Sequence, residues 1–150
     1  MPEKKTLERA QKDQREGKAP STQAGEFVRE EMDHVREGKH GARSAKQAIA
    51  IGLSKARRAG VKLPPPKEGT TSERTRKQAA RDDAKGSGPS HAPSRKRSRA
   101  VTSALKREGH AAASHTALSR QARASAKKRG PASRSQAAKK AARTRARRSR

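Results

Sequence analysis

The chain has 150 residues, 40 Lys and Arg against 14 Asp and Glu, a net charge of +26 and a mean hydropathy of −1.28. Leu, Ile, Val and Phe together number only 12. Ordering a residue costs on the order of 1–2 kcal/mol while burial returns about 25 cal/mol per Å² of apolar surface, so this composition argues against a globular domain spanning the chain. Cysteine is absent, which excludes disulfides and thiolate chemistry. No apolar run approaches the roughly 18 residues that cross a bilayer, and "MPEKKTLERAQKDQREGK" lacks the apolar centre of a secretory signal.

In chain order, residues 1–20 read as a charged arm: Leu7 and Ala10 are the only apolar residues between Glu3 and Gly17, which predicts a frayed helix or coil. After the break "GKAPST", the segment "STQAGEFVREEMDHVREG" places Ala24, Val28, Met32 and Val35 on one stripe flanked by Phe27. Ser21 or Thr22 is its cap and Gly38 its stop. "KHGAR" then leads to "SAKQAIAIGLSKARRAGVKLPPP". Here Ser44 and Gln47 form a capping-box pattern, and Gly60 takes the left-handed position after the helix. Ala45, Ala48, Ile49, Gly52, Leu53, Ala56 and Ala59 fall on one apolar arc, with Lys46, Lys55, Arg57 and Arg58 opposite. The pair reads as a helical hairpin over residues 21–63, and Pro64–Pro66 as a stiff extended spacer.

Residues 64–150 read as a basic low-complexity tail. Four loose copies of a Ser-led, Ala/Lys/Arg-rich segment occur, with a flexible linker at about 86–94 ("GSGPSHAPS"). Unopposed like charge predicts only fractional helix there. The fold class expected is therefore mostly disordered, with all-α elements: one short hairpin followed by a cationic tail.

Charge points to the ligand. Residues 1–63 hold 15 basic and 9 acidic residues, residues 64–150 hold 25 and 5, and no acidic residue follows Glu108. Such blocks are interaction arms for polyanions. The DNA-binding candidates are Arg43, Lys46, Lys55, Arg57, Arg58 and Lys62 at the second helix, and Arg95, Lys96, Arg97 and Arg99 in "RKRSR". In the tail they are Lys127, Lys128, Arg129, Lys139, Lys140, Arg143, Arg145, Arg147, Arg148 and Arg150. With one Phe and no Trp or Tyr, base stacking has little to work with, which favours duplex DNA over RNA. Glu26, Glu30, Asp33 and Glu37 form an acidic stripe opposite Val28 and Val35, read first as a solvated face. "RKRSR" also has the form of a nuclear signal, with Ser98 where a basophilic kinase acts, a match that a tail this basic produces by chance.

Enzyme chemistry lacks its parts: there is no Walker loop and no dinucleotide turn, and His34, His40, His91, His110 and His115 are scattered. Asp33, His34 and His40 in "DHVREGKH" read as a helix-end charge pattern, so no metal, cofactor or small-molecule substrate is expected.

The block from Pro20 to Pro66 resembles a family of small basic bacterial proteins of unknown function that share the segment "KQAIAIGLSKARRAG". The tail "SQAAKKAARTRARRSR" is similar in composition to linker-histone and bacterial histone-like tails. The family resemblance implies no settled activity; charge, composition and the missing catalytic parts lead to the expectation of a non-enzymatic, nucleoid-associated DNA-binding protein acting by phosphate neutralisation, in the cytoplasm or nucleoid, or in the nucleus of a eukaryote. A homodimer through the apolar face of the hairpin is expected, and no membrane partner. Two alternatives stay open: a protein-interaction, plasmid-maintenance or stress adaptor with a nucleic-acid tether, and a ribosome-associated RNA binder.

Overall fold

The computed structural model describes residues 1–89 and 94–148. Among these, seven α-helices and one 3-10 turn occur and no strand. They are α1 (Lys4–Arg15), α2 (Pro20–Arg36), α3 (Ala45–Arg58), α4 (Glu73–Ser87), α5 (Arg95–Lys106), the turn Ala111–Ala113, α6 (His115–Lys128) and α7 (Gly130–Arg148). The chain divides into two compact units, Met1–Ser114 and His115–Arg150.

This all-helical architecture overturns the expectation of a mostly disordered chain with a single hairpin and a fractionally helical tail. The reason lies in what fills the core. Nine of the thirteen buried apolar residues are alanines (Ala10, Ala24, Ala42, Ala45, Ala48, Ala56, Ala79, Ala112, Ala113), joined by Phe27, Met32, Val35 and Val61. Alanine is the best helix former, loses no side-chain entropy on burial, and lets helix axes approach closely, so a count of large aliphatic residues understates what such a sequence can bury.

In the first unit α2 is the central helix, with both α1 and α3 packed against it. Ala10, Ala24, Phe27, Ala56 and Val61 form the shared core, with Leu7, Leu53 and Leu63 against it. The segment read as a frayed arm is thus a helix, fixed by burial of Thr6, Ala10 and Asp13. Helix α2 starts at Pro20 rather than behind a Ser21 or Thr22 cap; proline at the first helical position needs no N–H donor there. Ser44 caps α3 by accepting the Gln47 N–H (3.2 Å), while the Gln47 side chain accepts from the Arg43 N–H (2.7 Å). Gly38 (φ 75°) and Gly60 (φ 90°) follow α2 and α3 in the left-handed region. Where α2 and α3 cross, a Cβ on Gly52 would lie 2.7 Å from the Val28 Cα, so this approach requires glycine.

Helix α4 packs on α3 through buried Ala79 and Asp82. It continues to Ser87, into the stretch expected as a linker, whose residues 90–93 lie outside those described. The C-terminal end of α5 is tied back to the α2–α3 connection: Leu105 O accepts from Gly41 N–H (2.9 Å) and Gly109 O from Ala42 N–H (3.0 Å). The 3-10 turn packs on α2 and α3, where Ala113 O accepts from Arg36 Nε (3.1 Å). In the second unit α6 and α7 contact one another.

Candidate nucleic-acid interface

The cations of α3 divide into those turned inward and those left to solvent. Lys55 Nζ lies 2.6 Å from Glu31 Oε2 and 3.5 Å from Glu30 Oε1, both carboxylates being almost fully buried. Arg57 is buried and donates to Leu63 O (3.1 Å) and Pro64 O (3.3 Å), which fastens the start of the proline spacer to α3. Arg58 donates to Ser54 Oγ (2.7 Å) and approaches buried Asp82 at 3.5 Å. Lys46 and Lys62 are exposed. Arg43 is exposed as well, with Glu108 3.8 Å away. The apolar arc Ala45, Ala48, Gly52 and Ala56 is covered within the same chain. Four of the six cations assigned to this helix thus have internal partners, Arg43 by the longest contact, which a residue-by-residue charge pattern does not reveal.

The acidic stripe explains where the cations went. Glu26 faces Arg9 (3.6 Å), Asp33 faces Arg36 (3.4 Å) and Glu37 faces Lys39 (3.0 Å). Glu30 is buried, meeting Lys55 and accepting from the Glu3 N–H (3.1 Å). The Glu3 carboxyl, hydrogen-bonded first by His34 (2.9 Å) and then by Lys39 (3.0 Å), is lowered to about 2 from the usual 4.5. At the next turn, Lys18 bridges Asp13 and Glu16, each at 2.7 Å. Those contacts lower the carboxyl of Glu16 and raise the ammonium of Lys18.

Beyond residue 94 the pattern changes. Arg95, Lys96, Arg97 and Arg99 are exposed on α5. On its other stretch Ser98, Arg99, Thr102, Ser103, Lys106 and Arg107 line an open shallow groove of hydroxyls and cations. In the second unit Lys127, Lys128, Arg129, Lys139, Lys140, Arg143, Arg145 and Arg147 are all exposed. Arg148 ends α7, and Arg150 lies outside the described residues. Among the described residues none of the Lys or Arg of α5, α6 or α7 takes part in an ion pair, and the sequence from 115 onward offers no carboxylate side chain to make one. At about 1.5 Å per residue, the 19 residues of α7 make a rod of roughly 28 Å with exposed cations from Arg134 to Arg147.

Sequence reasoning missed Glu31 entirely. It lies between the acidic stripe and the apolar stripe of α2, and only the packing of α3 buries it. Glu31 and His34 are three residues apart on one helix and share a face, whereas Asp33 does not share it.

Residues 4–67 match a family of unknown function, DUF6496, a match that covers α1, α2, α3 and the proline spacer. No curated protein and no solved structure matches the chain. No helix among the described residues is long and apolar enough to cross a membrane.

Proposed function

We propose that the chain binds duplex nucleic acid, DNA in the first place, by neutralising backbone phosphates without reading base sequence. One observation carries this reading: six of the eleven Lys and Arg of the first three helices (Arg9, Lys12, Arg36, Lys55, Arg57 and Arg58) meet carboxylates or carbonyls of the fold, while those of α6 and α7 from Arg120 to Arg147 are exposed and have no carboxylate partner. Unopposed like charge costs a folded chain self-repulsion, and a polyanion relieves it. Duplex DNA presents one charge per about 1.7 Å of axis, so roughly 28 Å of duplex beside α7 offers about sixteen phosphates. The near absence of aromatic residues supports phosphate contact over base stacking. The tail's likeness in composition to histone-type tails and a nucleoid location belong to the same reading. The helices at the N-terminal end would then serve as a folded body that carries the cationic elements.

The test is titration of the full chain against two labelled duplexes of unrelated sequence over a range of salt. Equal affinities that fall steeply with salt are expected. A thousandfold preference for one sequence, or affinity indifferent to salt, would overturn the reading. A duplex RNA of equal length, if bound far more tightly, would move the target from DNA to RNA.

A further inference from the structure

We infer that Glu31, His34 and His40 form a binding site for one divalent transition-metal ion, with zinc the ion best suited to the donors. A carboxylate oxygen of Glu31 and one ring nitrogen from each histidine all lie within 4.8 Å of one another. The local fold brings them together. Glu31 and His34 share a face of α2, and the turn at Gly38 returns the chain so that His40 meets the same face, with the two rings edge to face at 5.9 Å. Four-coordinate zinc with ligands at about 2.0–2.1 Å holds its donors roughly 3.3 Å apart, so a small contraction completes the set.

Two further features point to a cation between these groups. Glu31 is 1% exposed, and both of its carboxylate oxygens are buried without an aligned hydrogen bond. Lys55 approaches Oε2 and His40 Nε2 approaches Oε1 (3.0 Å), at ion-pair distance but not in hydrogen-bond alignment. The other nitrogens of the histidines are already assigned. A carbonyl only accepts, so the contact of His40 Nδ1 with Gly41 O (3.0 Å) places a proton on Nδ1 and leaves a lone pair on Nε2 for a metal in the neutral ring. Likewise a carboxylate accepts from His34 Nε2, so Glu3 orients that ring as outer-shell carboxylates orient metal-bound histidines, leaving its Nδ1 as the donor. Lys55 on the far oxygen of Glu31 leaves Oε1 as the ligand and neutralises part of the negative charge that Glu30 adds behind it. The ion would join the end of α2 to the following turn. With three protein donors, a water completes its coordination.

The experiment uses the full chain, stripped with a chelator and titrated with Zn(II) against a chromophoric competitor, then with Co(II) followed by its visible absorption. One ion per chain is expected, with a dissociation constant in the micromolar range or tighter and the band of four- or five-coordinate Co(II). A hundredfold excess of Zn(II) over that constant should raise the thermal midpoint by about 5–10 °C. His34→Gln and His40→Gln, whose folding is checked by circular dichroism, should each lose the band and weaken binding more than tenfold. Glu3→Gln should weaken it by about tenfold by loosening the His34 ring, and His115→Gln should change nothing. A Co(II) spectrum that stays octahedral, millimolar binding by the wild-type chain, or affinity retained in the double variant His34→Gln/His40→Gln would each overturn the site. The wild-type result decides even if a variant fails to fold. An imidazolium of His40 paired with Glu31 and no metal would show itself as the first or second of these outcomes.

Discussion

The Lys55 ammonium stands 2.6 Å from Oε2 of Glu31, and Glu30 converges on the same cation from 3.5 Å, so a residue that sequence places on a phosphate-facing surface instead joins α3 to α2. Removing one partner of a buried ion cluster leaves an uncompensated charge in a poorly solvated place. Lys55→Gln should therefore lower stability by about 3–5 kcal/mol. Lys46→Gln, on the exposed side of the same helix, should stay within about 0.5 kcal/mol. Urea unfolding of both variants at neutral pH checks the difference; equal midpoints would show that the cluster does not hold the helices together.

Gly52→Ala sets helix propensity against packing. Alanine is favoured over glycine inside a helix by about 0.8–1.0 kcal/mol, which alone would stabilise α3. The added methyl group, however, would meet the Val28 Cα at 2.7 Å and its nitrogen at 2.9 Å, backbone atoms that cannot rotate away. A net loss of about 1–3 kcal/mol is expected as α2 and α3 are forced apart. A thermal midpoint above that of the wild type would mean that the two helices separate without cost.

These two residues mark what the sequence discloses and what it does not. The ends of α3 are local events: Ser44 meets an amide three residues on, and Gly60 must accept a left-handed conformation, so both are legible in a short window. Ala24, Met32 and Val35 likewise lie on one face because 3.6 residues make a turn. Burial of Glu30 and Glu31, or of Arg57, depends on which helix arrives from elsewhere, and no periodicity records it. Helix α1 reads only as a frayed helix or coil because its buried residues are Ala10 and the polar Thr6 and Asp13. Helix α4 contributes Ala79 and the ion-paired Asp82 in the same manner. Alanine and paired charge are ordinary surface residues in composition, and partners make them core. Of the candidate interface, the exposed cations from Arg95 to Arg147 were legible because Glu108 is the one carboxylate side chain of that stretch. Those of α3 were not, since their anions lie on other helices.

The α1–α2 turn gives a pH dependence of known sign. Lys18 hydrogen-bonds both Asp13 and Glu16, which lowers the Glu16 carboxyl below its usual 4.5 and raises the Lys18 ammonium above its usual 10.5. A depressed carboxyl stabilises the fold above 4.5 and loses that contribution as pH falls through the lowered value; a raised ammonium stabilises it below 10.5 and loses that as pH rises through the raised one. The stability difference between wild type and Lys18→Gln should therefore be flat between those two values and shrink on either side. Because Glu16 is exposed and Lys18 only half-buried, solvent screens their contact, so the plateau should be small and should diminish with added salt. A difference that grows on acidification would contradict the assignment.

The last prediction separates the cations spent on folding from those left for a ligand. Binding to duplex DNA releases counterions in proportion to the phosphates neutralised, with a slope of log affinity against log salt of about −0.9 per contact. Replacing Lys139, Lys140, Arg143 and Arg145 of α7 by Gln removes four exposed, unpaired cations while keeping residues of comparable helix propensity. The slope should become shallower by about 3–4 units, with affinity falling most at low salt. Arg58→Gln, by contrast, removes a cation already committed to Asp82 and Ser54, so it should leave the slope nearly unchanged while loosening α4 from α3. Both variants are measured on the same duplex, with circular dichroism to confirm helix content. If the fourfold α7 variant kept the wild-type slope while Arg58→Gln lowered it, the phosphates would be contacted by α3, and the division between folding and binding cations drawn from the structure would be reversed.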